Sequence, residues 1–124
     1  MTIPDFDAHG ELPAGIWLAT IAEVLERFGK FGDLERKEAS QTLAKIHELA
    51  VNTGHLQSML VFGSYVTSKP NPNDVDVILM MDDAVDPANC PVESRVLFDR
   101  QAANAQLGAS VFWIRPALND YGYN

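Results

Sequence analysis

The stretch Val75–Met81, VDVILMM, holds one polar residue in seven. A run this apolar reads as a strand covered on both faces rather than one washed by solvent on one side. It predicts a central strand and obliges the rest of the chain to supply its cover. A chain of 124 residues suits one domain with one modest core, so residues 1–124 are read as a single domain. The one polar residue of the run, Asp76, stands two positions after Asp74 at the mouth of the strand. What two acids do there is the functional question.

The flanking sequence supplies the other elements. Residues 1–15 contain Pro4, Gly10, Pro13 and Gly15, with Ile3, Phe6 and Leu12 between them. This predicts an extended N-terminal arm whose apolar residues dock on the core. Ile21, Val24, Leu25 and Phe28 fall at i, i+3, i+4 and i+7, predicting a helix over about 14–28 that ends at Gly29 and Gly32. Asp33 is placed to start a second helix reaching about Thr53, with Arg36 standing where a capping-box acid would be. Ala39, Leu43, Ile46, Leu49 and Ala50 line one face of it, and Gly54 is its stop. Strands are predicted at 57–62, 75–81 and 110–114, with a third helix over 92–107 ended by Gly108. The tail after Pro116 is read as loop. The order predicts an α/β (α+β) fold, a small mixed sheet with helices packed on it.

Bulk properties narrow the function. The net charge of −8, with nine scattered basic residues, argues against direct nucleic-acid binding, which needs clustered Lys and Arg. It suits a basic partner protein, and it means that a bound nucleotide would need metal ions to offset charge. No apolar run approaches the roughly 20 residues of a membrane helix. MTIPDFDAHGEL lacks the marks of a secretory signal, and Cys90 is the single cysteine. A cytoplasmic location is the expectation, with no membrane partner.

Residues i and i+2 of a strand share a face, so Asp74 and Asp76 sit about 7 Å apart along the backbone with carboxylates free to converge. Hard oxygen ligands of this kind suit Mg²⁺. Gly63-Ser64 ends the preceding strand, where glycine lets backbone approach a ligand and the turn amides and hydroxyl can cradle phosphate. If the two strands are neighbours, turn and acids meet at one edge of the sheet. Either motif alone is an ordinary surface feature; the combination is specific.

The stretch GSYVTSKPNPNDVDVIL resembles the signature of the nucleotidyltransferase superfamily related to DNA polymerase β: a hydrophobic residue, Gly and Gly or Ser, about ten residues, then two alternating acids on the next strand. Phe62-Gly63-Ser64 and Asp74-Val75-Asp76-Val77 match its two halves. IPDFDAHGELPAGIW is similar to the opening of a group of small nucleotidyltransferase-like proteins. The resemblance implies a minimal nucleotidyltransferase fold and Mg²⁺-dependent transfer of a nucleoside monophosphate from a nucleoside triphosphate to a hydroxyl acceptor. Carried over, Gly63 and Ser64 would bind the nucleotide, and Asp74 and Asp76 would be metal ligands and catalytic residues. Small members of the superfamily act with helical partners, some as antitoxins that modify a toxin, which makes an antitoxin-like role and a basic or helical protein partner part of the expectation.

One departure opens an alternative. Active members carry a third carboxylate on a later strand, whereas ASVFWIRP has none and places Ser110 where it would stand. Asp82 and Asp83 lie about 20 Å along the strand from Asp76 by strand rise, at the opposite edge. Glu93 or Asp99 could approach only if the third helix is unusually placed, or a partner could donate the acid. The alternative is a catalytically inactive binding or regulatory module with the same fold; a third reading gives the acids no role beyond keeping the strand end soluble. His9, His47, His55, Cys90, Lys69 and Tyr65 are read as structural or exposed, and Trp17 and Trp113 as core or interface residues.

Overall fold

The computed structural model describes residues 3–72 and 74–116. Three helices, α1 (Ile21–Phe28), α2 (Leu34–Asn52) and α3 (Arg100–Leu107), accompany three strands, β1 (Leu56–Phe62), β2 (Val75–Met81) and β3 (Ala109–Ile114). The strand order is β1-β2-β3, with β1 antiparallel and β3 parallel to β2. This is the small mixed sheet with packed helices that the element order predicts. Among the described residues no helix is long and apolar enough to cross a membrane. The predicted loop beyond Pro116 lies outside the described residues.

Two helix boundaries differ from the periodicity reading. The first helix starts at Ile21 rather than near Ala14, because Thr20 and Glu23 form a reciprocal capping box. Thr20 Oγ1 accepts from the Glu23 amide at 3.1 Å, and the Thr20 amide donates to Glu23 Oε1 at 2.8 Å. The apolar residues before the box, Ile16 and Leu18, stay exposed outside any helix or strand. The region predicted as one helix over 92–107 is broken in two. Val92–Phe98 winds as a 3₁₀ segment, and Asp99 then caps α3 by accepting from the Ala102 amide at 3.0 Å. A cap supplies a local partner for a helix-start N–H, so the helix begins after Asp99.

The inward face predicted for α2 is the one observed. Ala39, Leu43, Ile46, Leu49 and Ala50 are all buried, with Val75, Val77, Leu79 and Met81 of β2 and Ala109, Val111 and Trp113 of β3 in the same core. Ile3, Phe6 and Leu12 of the arm pack against that core, as expected. The expectation that β2 is covered on both faces is corrected. Its Val75, Val77, Leu79, Met81 face is buried, whereas Asp76, Ile78 and Met80 are only half-buried. The helices serve one face of the sheet, so the unbroken apolar run marks a strand with one built face and one open face.

Register aligns the open face in rows. Phe62, Asp76 and Ser110 form one, Leu60, Ile78 and Phe112 the next, and Ser58, Met80 and Ile114 the last. The acid row is the end of the sheet reached by the loop after β1.

That loop is held by Arg36, whose side chain is fully buried. Nη1 donates to the carbonyls of Phe28 (3.0 Å) and Tyr65 (2.7 Å), and Nη2 to Thr67 (2.9 Å) and Lys69; Nε also donates to Lys69 (3.2 Å). The guanidinium stacks on Phe31 at 4.2 Å from the ring centroid. Burial lowers the Arg36 pKa, and Tyr65 and Asp33 oppose that shift. A buried charge is tolerated when hydrogen bonds saturate it. Removing it orphans carbonyls from two segments, so Arg36→Met is expected to cost more than about 3 kcal/mol in urea unfolding. Arg36→Lys should recover only part of the loss, since one ammonium cannot span the carbonyls served by a planar fork.

Candidate functional site

Gly63 leaves β1 with φ of +81°, in the left-handed region that side chains disfavour. A Cβ at this position would also overlap the Asp76 carboxylate oxygen. Glycine is thus required both by the turn and by the approach of its backbone to Asp76. Ser64–Val66 follows as a single 3₁₀ turn, its start closed by Thr67, whose amide and hydroxyl donate to the Ser64 carbonyl at 3.2 and 2.7 Å. Tyr65 is fully buried beneath the loop, its hydroxyl 2.7 Å from Ser40 Oγ. The loop also meets the arm, where the Ser68 amide donates to the Gly10 carbonyl at 2.8 Å. The path between the two predicted motifs is therefore fixed by α2, by its own turn and by the arm.

The two motifs meet because β1 and β2 are neighbours. Phe62 pairs with Asp76 across the ladder, which puts Gly63 beside the carboxylate. On the other side Asp76 pairs with Ser110 of β3. Ser110 Oγ donates to Asp74 Oδ2 at 3.4 Å, so hydroxyl and acid pair form one cluster. Burial raises the Asp76 pKa, the charge of Asp74 raises it further, and the Ser110 hydroxyl partly opposes both. Among the described residues no salt bridge reaches either carboxylate. The cluster is an under-compensated anionic point on an open sheet face, a setting that attracts a cation.

The sequence-predicted residues Gly63, Asp74 and Asp76 are brought together, with Ser64 one residue beyond the glycine. Asp82 is not part of the site: its carboxylate binds His55 Nδ1 at 2.9 and 3.0 Å at the far end of the sheet, and this bond lowers its pKa. Asp99 is engaged in capping α3. Cys90 is buried, with its thiol donating to the Asp86 carbonyl at 3.4 Å, and burial raises its pKa.

Three neighbours of the site escaped the sequence reading. Glu35 and Glu38 of α2 line a cavity of about 160 Å³ with Asp74. They approach from the first turns of a helix 36 or more residues earlier in the chain, and no local spacing marks them. Among the described residues, however, no three His, Cys, Asp or Glu side chains are placed to hold one metal ion together. Arg100, the third, opens α3 on the β3 side of the acids.

Residues 4–123 match a family described as a family of unknown function, DUF6932. No curated protein and no solved structure matches the chain.

The raised Asp76 pKa has a consequence for stability. Its contribution is full below the ordinary carboxylate pKa and is lost as the pH rises through the higher folded value. Asp76→Asn is therefore expected to be more stable than the wild type at neutral pH in metal-free buffer. The advantage should shrink as the pH falls through the folded Asp76 pKa, read as the difference between the two urea-unfolding profiles.

Proposed function

The chain belongs to DUF6932, a family of unknown function, and we propose that it binds a nucleoside triphosphate with Mg²⁺ and transfers the nucleoside monophosphate to a hydroxyl acceptor. The observation that carries this reading is the packing of Gly63 against the Asp76 carboxylate, which joins the turn after β1 to the acid pair. Such chemistry needs backbone that can cradle phosphate beside acids that can ligate metal, and the adjacency of the Gly63 turn and Asp76 supports that reading.

Asp74 and Asp76 would hold Mg²⁺. The donor set fits: two carboxylates beside a hydroxyl, with the remaining positions left to water and phosphate oxygens. When bound, the ion neutralises phosphate charge and makes the α-phosphorus more electrophilic. Gly63 brings the turn backbone against the acid pair, and the turn amides with Ser64 would contact the phosphates. The acceptor oxygen bonds to the α-phosphorus, the bond to the α–β bridging oxygen breaks, and pyrophosphate departs with that electron pair. The acceptor proton leaves to water or to a carboxylate supplied by a partner. The net charge of −8 suits a basic partner protein.

A second reading, an inactive binding or regulatory module, is favoured by Ser110, which stands in register beside Asp76 where a third carboxylate would complete the site. Under this reading the protein binds nucleotide or partner without turnover.

Calorimetric titration of ATP and GTP with Mg²⁺ should give micromolar, metal-dependent binding that Asp74→Asn/Asp76→Asn abolishes. Absence of binding to the wild type would overturn both nucleotide-binding readings. Ser110→Asp separates catalysis from binding: in an inactive module it should tighten Mg²⁺ binding and introduce release of pyrophosphate from the triphosphate, which a pyrophosphatase-coupled assay detects.

A further inference from the structure

The acid row has two sides, and the phosphate-binding turn of the nucleotide reading occupies only one. On the β1 side stands the Gly63-Ser64 turn; on the β3 side Ser110 borders a pocket of about 300 Å³ shared with Arg100, Gln101 and Asn104 of α3. Every one of these four side chains can donate a hydrogen bond, and one carries positive charge. The acid pair is thus flanked by a hollow that can donate hydrogen bonds and carries one positive charge, in a chain of net charge −8.

Arg100 is held in place by the open face itself. Its guanidinium lies 4.8 Å from the centroid of the Phe112 ring. Phe112 is two residues beyond Ser110 on the same face of β3, in register with Ile78. A guanidinium drawn to a ring face by the cation–π attraction keeps N–H donors for an oxyanion. Among the described residues Arg100 forms no salt bridge, although seventeen acids are present in the chain.

We propose that this pocket is an anion subsite for the acceptor: it takes a phosphate or carboxylate borne by a small hydroxyl compound, with Arg100 as the charged contact, Gln101 and Asn104 as hydrogen-bond donors, and Ser110 at the border with the acid pair. The inference rests on the reading of Asp74 and Asp76 as the reacting end of the site. It adds the class of acceptor, an anionic alcohol, and the side from which it enters, opposite the Gly63 turn. Anchoring the anion at Arg100 leaves the hydroxyl to point past Ser110 towards the acid pair, which Ser110 already contacts.

The test follows backbone amides and the arginine Nε–H signals of the full chain by NMR. Glycerol 3-phosphate, glycerate and glycerol are titrated in turn, with and without saturating Mg²⁺–ATP. Saturable shifts at Arg100, Gln101, Asn104 and Ser110 are expected with an anionic probe and not with glycerol. Whichever anionic arm binds more tightly identifies the group as phosphate or carboxylate. Arg100→Gln should weaken binding about tenfold, the loss of one charged hydrogen-bonding partner. Arg100 is exposed, so this variant keeps the fold, and Arg100→Lys should fall between the two. The subsite is overturned if neither anion gives saturable shifts, if Arg100→Gln binds as the wild type does, or if Mg²⁺–ATP displaces the probe and so claims Arg100 for the triphosphate. Arg100-dependent anion binding in a protein that fails to bind Mg²⁺–ATP would uphold the pocket while bringing down the nucleotide reading.

Discussion

The Arg36 guanidinium sits in the interior with carbonyl oxygens, rather than a carboxylate, as its partners. Moving a cation out of water is costly, and here the cost is offset by four backbone acceptors and the face of Phe31. Those acceptors belong to two segments far apart in the chain, which also touch through the Phe28 and Tyr65 rings. Phe28 ends α1, where helix carbonyls lack partners and a cation is favoured, whereas Tyr65, Thr67 and Lys69 belong to the loop after β1. One side chain thereby joins the turn and the arm in holding the chain between Gly63 and Asp74. The candidate site inherits its geometry from that latch.

The sheet is built unequally. One face is closed by α2, α3 and the 3₁₀ segment before α3, with a continuous set of buried aliphatic residues. The opposite face presents a row of Phe62, Asp76 and Ser110 beside rows of larger apolar residues. The Asp76 carboxylate has its pKa raised by burial and by the charge of Asp74. A carboxylate whose pKa is raised on an open sheet face is an ordinary signature of a site, although ion-pair networks also produce one. No such network reaches these two among the described residues.

The two flanks of Asp76 differ in chemistry. On β1 a glycine gives way to the carboxylate and begins a tight turn; on β3 a serine hydroxyl joins the acids, with a stacked arginine nearby. Ser110 relieves some of the charge on the pair without adding to it. A third carboxylate in its place would increase the repulsion between the acids until a metal ion was bound. The glutamates of α2 that share a cavity with Asp74 add to the negative field without forming a three-acid cluster.

Much of the framework was legible in the amino-acid order. The buried face of α2, the docking of Ile3, Phe6 and Leu12, and the three strands follow from apolar spacing, because burial is periodic and periodicity is local. Gly63, Asp74 and Asp76 were recognisable as a pair of motifs, but their meeting depended on β1 and β2 being neighbours. The capping box at Thr20 was also present in the sequence, and it outweighs the apolar residues before it because it satisfies helix-start donors directly. What only the tertiary structure decided were long-range encounters. The open second face of β2 depends on where the helices pack. Arg36 reads as a missing cap acid and serves instead as the buried latch, because its partners are backbone carbonyls, which no residue type advertises. Arg100 reads as one more surface charge until α3 places it beside Ser110. Local sequence specifies which residues seek burial or a cap; which polar groups converge is set by the path of the whole chain.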